Sequence, residues 1–269
     1  MNYQEVIQVV SKFLSTDTSQ NLYLLFDNSQ LKKKWRSNFV MNKGIPIWKN
    51  ILKMEDETLS PVLFELDRQN FVYQIEKICK KILDSPVYSI IISPLSSKKL
   101  AEHLGQYSLC QTQDDQVLIL RFFDTRILPI LKKALSDEHR KYFFSPIIKW
   151  FYPDIVGEWH LIENQPVNNV SKLKGILELT NVEYENILDE TIPYTVFLEI
   201  CEYLIRSEDI SGNIKSKLWK DINNELGKED ITSSLFLINE FIEQYSQSLP
   251  NKLEQWRHSY SNAGSEPHL

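Results

Sequence analysis

The chain changes its periodicity near residue 150, and this constrains the fold more than any other feature of the sequence. Before that point, helix-spaced apolar positions alternate with short strand-like runs. Beyond it, nearly every apolar position recurs at helical spacing. Val6, Val10, Phe13 and Leu14 predict an opening helix. Leu22–Phe26, ended by Asp27-Asn28-Ser29, reads as a buried strand and turn, and Pro61–Leu66 as a second strand. Phe71, Ile75, Ile78 and Ile82 mark a helix ending near Asp84-Ser85-Pro86. Val87–Ile92 is rich in β-branched residues between two prolines and reads as a strand. Ser96 or Ser97 caps a helix with Leu100, Leu104 and Tyr107 on its apolar face. Leu109–Thr112 and Val117–Phe123 flank a polar loop, the pattern of a hairpin. Asp124 is placed to cap a helix through Ile127, Leu128, Leu131 and Leu135, with Pro129 in its first turn or kinking it. Asp137–Phe144 continues as a helix to Ser145-Pro146.

Residues 150–167, with Trp150, Phe151, Tyr152 and Trp159, read as an irregular junction with one strand. Thr180 and Glu183 have capping-box spacing. Pro193 is placed to open a helix, Gly212–Leu226 forms another, Thr232 caps a third, and a short one spans Leu249–Trp256. His258–Leu269 has no periodicity. The expected class is therefore α+β: an α/β lobe with a small mixed sheet over 1–160, an all-helical lobe over 161–257, and a disordered tail over 258–269. A mixed sheet is expected because both a hairpin and helix crossovers are present.

Thirty-one aromatic residues exclude global disorder, and 7 Gly with 11 Pro exclude a collagen-like chain. Cys79, Cys110 and Cys201 are few and far apart, so neither a zinc cage nor a disulfide framework is expected. Residues 1–150 carry 21 Lys and Arg against 16 Asp and Glu, a balance of +5, and residues 151–269 carry 9 against 20, a balance of −11. The main basic run, Lys32, Lys33, Lys34 and Arg36, is short and reads as a solvated face, so no nucleic-acid partner is expected. No apolar run suits a membrane span, and Met1–Val10 lacks the basic and apolar regions of a secretory leader. The expectation is a cytoplasmic protein that is monomeric when free.

The phosphate-binding glycine loops, the nucleophile elbow and the zinc-binding histidine motifs are all missing from the sequence. Asp114-Asp115 reads as a hairpin turn, and Asp137-Glu138 as a helix N-terminus favoured by the dipole. The expectation is a protein that is not an enzyme and uses no cofactor and no metal. The alternative is a hydrolase-like site assembled from scattered residues around Asp124 and His103.

The most informative stretch is Leu120-Arg121-Phe122-Phe123-Asp124-Thr125-Arg126-Ile127-Leu128. It reads as a strand–cap–helix corner in which Arg121 or Arg126 pairs with Asp124, in preference to the alternative of a catalytic arginine–aspartate site. Here the sequence resembles the type VI secretion effector adaptor/chaperone family (Tap/Tec type). That family's signature is roughly F-R-[FY]-[FY]-D-P-R-[VIL]-L. Tyr23-Leu24-Leu25-Phe26-Asp27-Asn28-Ser29 is similar to its opening strand, Y-x-L-[LF]-D-x-[AS]. Leu59–Leu66, Leu100–Leu104 and Tyr142–Pro146 with Trp150 resemble further segments, so the likeness covers about residues 20–152. Thr125 stands where the family has proline, and Ser145 where it has glycine.

The resemblance implies a cytoplasmic adaptor that binds a cognate effector and helps load it onto a VgrG-type spike. Its helical lobe would be the variable part that suits one cargo. A cargo segment would then dock on apolar and aromatic anchors with a charged rim. The candidate partner-binding residues are Arg121, Phe122, Asp124, Arg126, Trp150, Phe151, Tyr152 and Trp159. The alternative role for the four junction aromatics is to pack the two lobes together.

Overall fold

The structure, a computed structural model, describes residues 1–31, 44–49, 51, 59–79, 86–164, 175–205, 212–226 and 235–263. Along the chain run α1 (Tyr3–Thr16), β1 (Asn21–Phe26), β2 (Ile45–Pro46), β3 (Val62–Leu66), α2 (Phe71–Cys79), β4 (Tyr88–Ser93) and α3 (Ser97–Gln106). There follow β5 (Leu109–Gln111), β6 (Val117–Ile119), α4 (Leu128–Ala134), α5 (Asp137–Phe144), β7 (Lys149–Pro153) and β8 (Trp159–Glu163). The described chain ends with β9 (Leu177–Glu178), α6 (Asn181–Ile205), α7 (Gly212–Leu226) and α8 (Leu235–Ala263). The basic run at 32–36, the end of the second predicted helix at 84–85 and the Thr232 cap lie outside the described residues.

Six strands pair in the order β2-β3-β1-β4-β7-β8, and every pairing is antiparallel. The expectation of one small mixed sheet is corrected here. β3 and β4 run parallel to each other, but β1 lies between them and pairs antiparallel with both. A connection that skips one strand leaves no parallel ladder. Parallel pairing occurs instead in a second sheet, β6-β5-β9, where β5 is antiparallel to β6 and parallel to β9.

Side-chain alternation splits the main sheet into two buried faces. Leu22, Leu24, Phe26, Tyr88, Ile90, Ile92, Phe151 and Trp159 pack with α1 and α2 on one face. Tyr23, Leu25, Ser89, Ile91 and Trp150 alternate to the other, and are buried there too. Strands covered on both sides read as near-continuous apolar runs, as Tyr88–Ser93 does.

Local chemistry sets the helix ends. Asn2 and Glu5 form a capping box on α1, each side chain accepting from the other's backbone N–H at 2.9 Å. Arg68 closes the other end of α1, donating to the carbonyls of Leu14, Asp17, Thr18 and Gln20 at 2.5–2.8 Å. Thr180 and Glu183 form the predicted capping box on α6. Pro193 does not open a helix; it lies inside α6, and Pro250 lies inside α8. α8 continues to Ala263, so residues 258–263 are helical where the sequence shows no period.

The chain divides into two compact units, Met1–Glu185 and Asn186–Leu269. In the second, Trp219 packs on Tyr194 and Phe197, with ring centroids at 4.6 and 5.4 Å. Asp221 on α7 accepts from Tyr245 and Lys252 on α8, both at 2.6 Å. Among the described residues, no helix is long and apolar enough to cross a membrane.

Candidate functional site

β1 ends in Asp27, which is fully buried. Its Oδ1 accepts from the Ser29 backbone N–H at 3.0 Å and from the Ser29 hydroxyl. Its Oδ2 accepts from Gln30 at 2.7 Å and from Arg121 Nη2 at 2.9 Å. Arg121 follows β6 by two residues and is 94 positions from Asp27 in the chain. The same Nη2 reaches Asp124 Oδ2 at 3.5 Å. Asp124 is buried and grips Arg126 in a two-pronged pair, Nε to Oδ1 at 2.8 Å and Nη2 to Oδ2 at 2.6 Å. The Arg126 backbone N–H donates to Oδ1 as well, at 3.1 Å. The result is a chain of alternating charges, Asp27–Arg121–Asp124–Arg126.

Each Asp124 oxygen accepts at least two hydrogen bonds, and so does each Asp27 oxygen. Groups so saturated are held in place and hold their neighbours in place. The geometry is that of a clamp that fastens the turn after β6 to the end of β1.

Asp124 is not the N-cap of α4, which begins at Leu128 after Ile127. Its backbone carbonyl accepts from the N–H groups of Ile127 and Leu128, while its side chain is spent on the two arginines. Thr125 uses its hydroxyl on the Pro86 carbonyl at 2.9 Å, which anchors this turn near the start of β4.

The aromatic residues predicted as anchors are placed in the interior of the first unit. Phe122 packs on Phe123, Phe143 and Trp150. Trp150 donates to Ser89 Oγ at 2.8 Å. Trp159 packs on Tyr3 and Tyr88. Phe151 belongs to the core between the sheet and α1. Tyr152 is buried but stacks on exposed His160, with centroids 5.5 Å apart. The segment called an irregular junction is thus a two-strand hairpin, β7–β8, and its large side chains fill both faces of the sheet. With no exposed surface, Phe122, Trp150, Phe151 and Trp159 serve packing here; Arg121 keeps 40% of its side chain exposed.

Two features escaped the sequence reading. Asp27 was legible only as a turn residue, because its arginine lies far along the chain. Glu183 does more than cap α6: it also accepts from the Ser136 backbone N–H at 2.7 Å and meets His139 Nδ1 at 2.8 Å. Burial opposes its charge, but the donors from Ser136 and Thr180 hold its carboxyl below the usual range. His103 lies 2.8 Å from the Phe143 carbonyl and packs on Tyr107, and burial lowers its pKa. No described contact brings it to Asp124.

Asp154, Glu158 and His160 place a potential ligand atom each within 4.8 Å of one another. The hairpin accounts for this grouping. Asp154 accepts from the N–H groups of Val156 and Glu158, its other oxygen meets His160 at 2.9 Å, and Gly157 supplies the positive φ of 88°. Near α5, an open groove of about 360 Å³ is lined by Lys132, Arg140, Lys141, Asp137 and Glu163 among others.

Fold and clamp together define an α/β unit whose signature residues are spent on internal structure. Residues 22–142 match the model of a family described as a domain of unknown function (DUF4123). No curated protein and no solved structure matches the chain.

Proposed function

We propose that this protein is a cytoplasmic adaptor that binds a cognate type VI secretion effector and helps load it onto a VgrG-type spike. The observation that carries this reading is a coincidence of position. The family match at 22–142 covers the opening strand and the Leu120–Leu128 signature by which the chain resembles such adaptors, and these two segments form the Asp27–Arg121–Asp124–Arg126 clamp. The clamp's carboxylates are saturated by donors of the fold, which suits a scaffold for binding better than a reacting centre.

The test is co-expression of the tagged protein with the products of its neighbouring genes, read by mass spectrometry and light scattering. One neighbour recovered in a defined complex is the expected result. If both proteins are soluble and folded and nothing is recovered, the adaptor reading is overturned. A substrate screen of the Asp124 and His103 surroundings then becomes the next experiment.

A further inference from the structure

β6 is an edge strand with neither proline nor lysine, the residues that commonly blunt such edges. Its side chains Val117 and Ile119 are 53% and 46% exposed. Leu109, opposite Ile119 on β5, continues the same face.

The register decides where the backbone points. Thr112 N–H donates to Gln116, Leu120 N–H donates to Ser108, and Cys110 is paired with Leu118. Even-numbered residues of β6 therefore turn their N–H and C=O groups toward β5, while Val117 and Ile119 turn theirs to the open edge. Among the described residues, nothing pairs with that edge.

The two ends of the edge differ: one carries carboxylates that meet no cation among the described residues, the other the exposed donors of a clamp arginine. Asp114 and Asp115 form the exposed turn at one end, where they accept only from Thr112, Gln116 and Gln111 and meet no cation among the described residues. At the other end Arg121 uses Nη2 alone on Asp27, Ser29 and Asp124, so Nε and Nη1 keep their donors for another acceptor. We propose that the β6 edge docks an extended segment of a partner protein that pairs antiparallel, with a carboxylate, two alternating apolar residues and a cation in that order. The carboxylate meets Arg121, the apolar residues lie beside Ile119 and Val117, and the cation meets Asp114 and Asp115. A second copy of this chain would match the charges too, but a three-residue edge is far smaller than the roughly 1,200 Å² that a stable dimer buries. A flexible segment that pairs with the edge as one part of a larger interface fits better.

This assignment rests on the adaptor reading for the partner's identity but is testable without it. The probes are two synthetic peptides, Glu-Thr-Val-Thr-Val-Thr-Lys and its charge-reversed form Lys-Thr-Val-Thr-Val-Thr-Glu, titrated into the full chain and followed by amide exchange. The first should slow exchange of the Val117 and Ile119 amides and bind about tenfold more tightly than the second. Val117→Pro removes an outward N–H without touching the β5 ladder and should abolish the effect while Leu118 stays protected. Asp114→Asn with Asp115→Asn should narrow the preference between the peptides. Equal binding of both peptides, or protection confined to other residues, overturns the proposal. So does protection of Val117 and Ile119 that rises with protein concentration alone, because the occupant is then a second copy. In the co-expression experiment, capture undiminished by Val117→Pro refutes this surface and leaves the adaptor reading intact.

Discussion

At Asp124 the expected pairing with Arg121 and Arg126 is present and the expected helix cap is not. A cap is worth about 0.5–2 kcal/mol. A buried carboxylate shared between two arginines is worth more when removed, because it leaves charge uncompensated. We expect Asp124→Ala to cost about 3 kcal/mol, measured by denaturant unfolding, the low end of the range because Arg121 is partly exposed. Unchanged stability with lost partner binding would place Asp124 on a binding face instead. Glu183 carries a pH dependence of definite sign. Its carboxyl is held below the ordinary value of 4.5, so the folded state binds fewer protons than the unfolded state in that window. Its contribution is complete above about pH 4.5 and is lost as pH falls through the folded value. The stability gap between the wild type and Glu183→Gln should therefore shrink steadily below about pH 4.5 in acid titration.

At the scale of elements, prolines and strand edges depart furthest from sequence rules. Pro193 lacks the N–H that a mid-helix residue donates, yet α6 runs through it for 25 residues. Packing of Val196, Phe197, Ile200 and Cys201 below it outweighs the local cost. Pro193→Ala should raise stability by about 1–3 kcal/mol, checked by thermal melting. The β7–β8 hairpin is the opposite case. Its aromatic and proline content hides β7, because a strand buried on both faces loses the polar alternation that marks a half-buried strand.

At the scale of the whole chain, charge distinguishes the earlier part of the sequence from the later part. The last 119 residues carry a net −11 and the first 150 a net +5. A basic partner segment approaching the acidic part is drawn by a field that salt screens over about 10 Å at 0.1 M. The association rate with such a partner should fall as salt rises from about 0.01 to about 0.15 M, in stopped-flow measurements. A rate independent of salt would assign recognition to uncharged contacts.

The features legible in the sequence are local ones. Periodicity located α1, β1, β3, β4, the β5–β6 hairpin and α5, and side-chain chemistry identified the Thr180–Glu183 box, because these depend on residues within a few positions of one another. Its signature stretches also marked the segment that the family match covers. That β1 separates β3 from β4, that Asp27 holds Arg121, and that Trp150, Phe151 and Trp159 are core can be read only from the folded chain. Each of these joins residues tens of positions apart, and which distant partners meet follows from how the strands and helices of the first unit pack against one another.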